Sequence, residues 1–183
     1  LYLGNKTTYQ AGDVFRVERN GSTITYLKNG QPFFTSPKAS HTALIADMSL
    51  HTVGASITNV RSSFYLHHPE AQTIDLTRTY DYDHAGRLID TWHRVDGSPQ
   101  FTDIVNVSIT GNTITKTGTT SAYDAGAYTS TTIKQGTDGW ISMQVQGDNR
   151  MIFVLADANE DEGYQKIDYA ILTYPLAKKI SVY

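Results

Sequence analysis

The densest group of potential ligands is the acidic run Asp157-Ala158-Asn159-Glu160-Asp161-Glu162-Gly163, followed by Asp168. Calcium takes about six to eight oxygen ligands, and alternating carboxylates and amides in a Gly-terminated loop are the groups that supply them. Asp157, Asn159, Asp161 and Asp168 are therefore the candidate calcium ligands. The spacing is not that of an EF-hand. A solvated acidic turn between two strands is the alternative reading of the same residues.

A second constellation is aromatic. Tyr123, Tyr128, Trp140 and Tyr164 fall near expected turns, with Asp124, Asp138 and Asn159 close in sequence. Tyr80 and Tyr82 flank Asp81, so on a strand both would face one side, with Trp92 further along. Rings beside hydrogen-bonding side chains suit the faces and hydroxyls of sugars; they also pack on a neighbouring subunit or on the body of the same domain. Tyr123, Asp124, Tyr164, Trp140, Tyr80, Tyr82 and Trp92 are the candidate ligand-contacting residues. Trp140 opens an apolar run and reads equally as core.

Hydrolytic chemistry has less to work with. A glycosidase needs two carboxyls facing each other, about 5–10 Å apart. The four glutamates (Glu18, Glu70, Glu160 and Glu162) include none on a clear strand face with an acidic partner. No Gly-x-Ser-x-Gly nucleophile elbow exists. Four of the six histidines (His67, His68, His84 and His93) cluster in 65–103. Adjacent histidines on an extended chain point to opposite sides, which argues against a shared metal. With no cysteine, disulfides, thiolate catalysis and Cys-ligated zinc drop out. No catalytic residue is expected, and no cofactor beyond calcium.

The elements that must position these groups are strands. The 183 residues include 24 Thr, 13 Ser, 12 Tyr and 14 Gly, a strand-and-turn alphabet. Val14-Phe15-Arg16-Val17-Glu18-Arg19 alternates and runs into Asn20-Gly21. Thr23–Leu27 follows, then Asn29-Gly30 and Pro32–Thr35. Two Asn-Gly dipeptides between period-2 runs predict a three-strand meander. Further strands are expected at Ala43–Leu50, Ala55–Phe64, Ile104–Ile109, Thr113–Thr117, Trp140–Val145, Arg150–Leu155, Tyr169–Tyr174 and Lys179–Tyr183. Short strands at turn spacings of about 8–12 residues predict an all-β, two-sheet jelly-roll sandwich. Residues 65–103 have few apolar side chains for a core and read as a connector, a hairpin turning at His84-Ala85-Gly86.

Charge and length set further bounds. With 15 Lys+Arg against 18 Asp+Glu, the net charge is −3, so no basic footprint for nucleic acid is present. No apolar run approaches the roughly 18 residues of a transmembrane helix. The start lacks Met and a signal pattern, so the chain reads as a mature piece or an excised segment.

The run Tyr80-Asp81-Tyr82-Asp83-His84-Ala85-Gly86-Arg87-Leu88 resembles one YD repeat of the rearrangement-hotspot family of bacterial surface and toxin-delivery proteins. Thr91-Trp92-His93-Arg94-Val95-Asp96-Gly97 continues it in the manner of secreted proteins from gliding, polysaccharide-degrading bacteria. In that family many repeats coil into a hollow shell, which one copy cannot form. A second resemblance covers most of the rest. Ala11–Arg19, Tyr26, Asn29-Gly30 and Val53–Val60 are similar to the C-terminal half of a concanavalin-A-like sandwich. Ile109–Lys116, Ala125-Gly126-Ala127, Asp138-Gly139-Trp140 and Ile167–Ala170 are similar to its N-terminal half. Glucanases of that fold carry their carboxyls on one strand, a pattern missing here.

The halves stand in permuted order, so the resemblance implies that Ile180-Ser181-Val182-Tyr183 and Leu1-Tyr2-Leu3-Gly4 are two strands of a severed hairpin. Residues 1–64 form the C-terminal-type half, 65–103 the YD-type connector and 104–183 the N-terminal-type half. The halves could close within one chain, belong to a tandem array, or pair between molecules head to tail through Leu1, Leu3, Ile180 and Val182. The resulting expectation is a non-catalytic structural or adhesive repeat of a secreted or cell-surface bacterial protein, whose partners are copies of itself or tandem neighbours. A carbohydrate-binding module with a polysaccharide ligand is the alternative, and a glycoside hydrolase comes third.

Overall fold

Strict alternation in 14–20 translates into alternating exposure: Phe15, Val17 and Arg19 are buried while Val14, Arg16 and Glu18 are half-buried. The computed structural model describes residues 3–64, 76–82, 88–95, 99–157 and 168–183, with 76–82 and 88–95 described by their backbone. The first strands are β1 (Asn5–Thr8), β2 (Val14–Asn20), β3 (Thr23–Lys28), β4 (Gln31–Thr35), β5 (Ile45–Leu50) and β6 (Ser56–Ser62). The connector holds β7 (Leu76–Tyr82) and β8 (Leu88–Val95). After it come β9 (Phe101–Val105), β10 (Val107–Thr110), β11 (Thr113–Lys116), β12 (Gly126–Thr129) and β13 (Gly139–Val145). β14 (Met151–Ala156), β15 (Tyr169–Tyr174) and β16 (Lys179–Val182) complete the set. A short 3₁₀ turn at Pro175–Ala177 is the one helical element among the described residues.

The order β1-β16-β15-β14-β5-β12-β9 makes sheet I, β10-β11-β6-β13-β2-β3-β4 makes sheet II, and β7-β8 stand as a separate pair. The ladders are antiparallel throughout, as between β14 and β5 or β13 and β2. Both large sheets contribute to one core, with Phe15, Val17, Tyr26, Ile57 and Ile141 from sheet II meeting Met48, Leu50, Phe153, Ile171 and Val182 from sheet I. Burying each such side chain is worth about 1.5–3 kcal/mol. The architecture is an all-β sandwich.

The meander β2-β3-β4 forms as the Asn-Gly pairs predict. Asn29 and Gly30 both take positive φ, 51° and 80°, the geometry of a tight hairpin turn. The Asn29 amide then works twice: its Oδ1 accepts from the Val14 N–H at 2.8 Å, and its Nδ2 donates to Asp13 at 2.8 Å. The connector pairs β7 with β8, and its expected turn at 84–86 lies outside the described residues.

One expected strand is two. Ile104–Ile109 breaks at Asn106, whose φ is 49°. Before the break the chain runs in sheet I as β9, which begins at Phe101, inside the segment read as connector; after it the chain runs in sheet II as β10. A single left-handed residue that keeps both flanks extended looks continuous in sequence, and Asn is the side chain that tolerates it best.

The halves interleave. In sheet I, β5 lies between β14 and β12; in sheet II, β13 lies between β6 and β2. Residues 3–64 and 99–183 therefore each leave strands missing from both sheets.

Candidate functional site

Two places collect the candidate residues. The first is the pairing of the two ends of the described chain. β1 and β16 are antiparallel neighbours with Asn5 opposite Ser181, Thr7 opposite Ile180 and Thr8 opposite Lys179. The ladder continues past β1, where the Leu3 N–H donates to the Val182 carbonyl at 3.0 Å. The Ser181 hydroxyl donates to Asn5 Oδ1 at 2.7 Å. Ile180 and Val182 are wholly buried, and Leu3 packs partly buried against the same core. Leu1 lies outside the described residues. Tyr26, wholly buried in β3, donates its hydroxyl to the Tyr183 carbonyl at 3.0 Å, and burial pushes its pKa far up. The strand pair is thus closed within one chain, and β1 is left as the edge of sheet I.

The second place gathers around Tyr123 and Asp124. Lys116 ends β11 wholly inside, its Nζ donating to the Leu50 carbonyl at 3.1 Å, the Ala122 carbonyl at 2.6 Å and the Asp124 carboxylate. Asp124 also accepts from the Thr120 hydroxyl at 2.6 Å. Hydrogen bonds from Lys116 and then Thr120 hold its pKa below the usual carboxylate range. The expected ligand-contacting carboxylate therefore neutralises a buried lysine. Beside it, the His51 and Tyr123 rings meet edge-on, 4.9 Å between centres. The Arg150 guanidinium lies 5.5 Å from the ring centres of both Tyr123 and Tyr174. Burial, then the charges of Arg150 and Lys116, lower the His51 pKa and keep its imidazole neutral at pH 7.

The other candidates are dispersed. Trp140 sits in β13 rather than at a loop tip, half-buried, with the Arg16 guanidinium 4.2 Å from its ring centre. Tyr128 likewise belongs to a strand, β12. Tyr164, Asn159 and Asp161 lie outside the described residues, as do the side chains of Tyr80, Tyr82 and Trp92. Of the acidic set, Asp157 and Asp168 do meet: the Asp157 N–H donates to Asp168 Oδ2 at 3.1 Å. Asp168 also pairs with Lys38. Its burial alone would raise its pKa, but the bonds from Lys38 and the Asp157 N–H lower it. A carboxylate already neutralised by a lysine is a weaker calcium ligand. Among the described residues no three metal-binding side chains cluster.

Sequence reasoning passed over Arg19, Lys116 and Arg150. Arg19 is buried with Nε on the Thr137 carbonyl at 2.9 Å and Nη1 on the Thr42 carbonyl at 2.5 Å and the Ser40 hydroxyl at 3.3 Å. Its Nη2 donates to the Lys134 carbonyl. It pins the 134–137 turn and the 40–42 loop to β2. Arg19 and Lys116 both fall in register with apolar neighbours (Phe15-x-Val17-x-Arg19, Ile114-x-Lys116), and that in-phase charge is the signal. Arg150 just precedes β14 and has no such signal. A shallow recess beside the Arg19 clamp is lined by Gly21, Ser22, Ser40, His41, Gln135 and Gly136.

No family model and no curated protein matches the chain. No helix among the described residues is long and apolar enough to cross a membrane.

Proposed function

We propose that the chain is a non-catalytic structural and adhesive unit of a secreted or cell-surface bacterial protein, a concanavalin-A-like jelly roll in permuted order with a YD-type connector. The observation that supports it is the β1–β16 pair. The same ladder, Asn5 to Ser181 and Thr8 to Lys179, is available between one copy's β1 and the next copy's β16, so a swapped strand makes the same pairing as a native one. β1 is short, bulged between Asn5 and Thr7, and lies at a sheet edge, so little pairing has to break for it to open.

Light scattering over a range of concentrations tests this, with the double variant Asn5→Cys/Ser181→Cys as control. Directly opposed residues have Cβ atoms about 4.5–5.5 Å apart, within reach of a disulfide after small adjustment. The unlocked chain should form a ladder above its 20.3 kDa mass and the oxidised variant should stay monomeric. A monomer at every concentration, or a ladder that survives the lock, sinks the exchange.

Carbohydrate binding is the second reading. It is favoured by Tyr123, which the fold keeps beside His51 and Arg150 instead of in the main core.

A further inference from the structure

Arg19 and Arg150 use the same side chain in opposite ways. The Arg19 guanidinium meets four acceptors. Among the described residues, the Arg150 guanidinium meets none. Its Nε is buried without an acceptor, and its hydrogen bonds are made by its backbone: the N–H donates to the Thr52 hydroxyl at 3.0 Å and the carbonyl accepts from the His51 N–H at 3.0 Å. The nearby cations are already neutralised, Lys116 by Asp124 and Lys178 by Asp148. Arg150 as a whole is only half-buried, and a guanidinium that solvent reaches but no acceptor engages stands to gain from an anion. The fork is also fixed in place, because Tyr123 and Tyr174 both hold it at 5.5 Å.

A rigid guanidinium with its donors uncommitted matches two coplanar oxygens, which is a carboxylate. The surroundings suit a carboxylate carried on a sugar ring. The neutral His51 imidazole and the Thr52 hydroxyl offer donors and acceptors for ring hydroxyls. On the same turn Val53 is 49% exposed, an apolar surface for the C–H face of a pyranose. We infer that Arg150, with Tyr123, Tyr174, His51 and Thr52, binds the carboxylate of a uronate residue in an acidic polysaccharide. This rests on the carbohydrate-binding reading for the sugar, and on Arg150 alone for the charge.

Calorimetric titration at low salt tests it with a galacturonate trisaccharide, its methyl ester and a tri-aspartate peptide. The trisaccharide should bind the native chain, and esterification should weaken it by at least about tenfold, the cost of a charge-assisted hydrogen bond. Arg150→Gln should lose as much, and Arg150→Lys should fall between, keeping the charge but not the fork. Thermal unfolding of both variants confirms that they fold. If ester and acid bind equally, or Arg150→Gln changes nothing, the carboxylate site is wrong while glycan binding stands. If the peptide binds as tightly as the sugar, the assignment to a uronate is wrong. Binding of none of the three overturns both.

Discussion

At the scale of single residues, the molecule is defined by where it places charge. Asp13 is buried at the start of β2, where it accepts from Asn29 and from the Gln10 N–H at 2.8 Å and pairs with Lys28 at 2.9 Å. Burial alone would raise its pKa, but the hydrogen bonds from Asn29, Lys28 and Gln10 outweigh it and the net direction is down. Asp168 behaves alike through Lys38 and the Asp157 N–H. A carboxyl with a folded pKa below its unfolded one contributes stability that is complete above the unfolded value, about 3.9 for Asp, and is lost as pH falls through the folded value. Melting temperature should therefore fall on acidification from about pH 4 downwards, and less steeply in Asp13→Asn and Asp168→Asn. Thermal scans across that range would count against the assignment if both variants kept the native slope. His51 acts in the same direction at higher pH: its lowered pKa disfavours the charged form in the fold.

At the scale of elements, close approach decides which strands pair. A Cβ on Gly126 would stand 2.3 Å from the Met48 carbonyl oxygen, so β12 reaches β5 only without a side chain there. On Gly139 it would meet Ile133 side-chain atoms at 2.8–3.0 Å, and a side chain is able to turn aside. Gly126→Ala should cost about 3 kcal/mol or more, and Gly139→Ala about 1–2 kcal/mol, in urea denaturation. Equal losses would show that the main-chain contact is not the limiting one. Asn106 works at this scale too. Its left-handed backbone turns the chain out of sheet I, and its Nδ2 donates to the Asp124 carbonyl at 2.8 Å. That bond connects the sheet crossing to the loop carrying Tyr123.

For the whole molecule, interleaving is the governing fact. Inserting β5 between β14 and β12, and β13 between β6 and β2, means that neither half offers a continuous sheet. Further contacts cross between the halves: Arg19 to Thr137, Lys116 to Leu50, and the Tyr169 hydroxyl to the Ala39 carbonyl at 2.9 Å. Residues 1–64 and 99–183 produced as separate chains should each lack a cooperative unfolding transition, and should regain one when mixed. Circular dichroism melts of the two chains, apart and together, decide this. A half that melts cooperatively by itself would show that the core divides.

The amino-acid sequence alone determined the strand-and-turn character and the β2-β3-β4 meander. These depend on period-2 alternation and Asn-Gly turns, which act between residues close along the chain. The all-β sandwich was legible for the same reason. Tertiary structure decided the rest. Asn106 looks like one residue within a strand until two sheets exist for it to join. Asp124 looks like a free carboxylate until β11 brings Lys116 beneath it. Arg150 has no pattern around it in sequence, yet the fold sets it between Tyr123 and Tyr174. The physical reason is that local turns and alternation fix only the path of the backbone over a few residues, whereas the partners of these side chains, even Lys116 and Asp124 eight residues apart, are chosen by how the strands and loops pack when the sandwich closes.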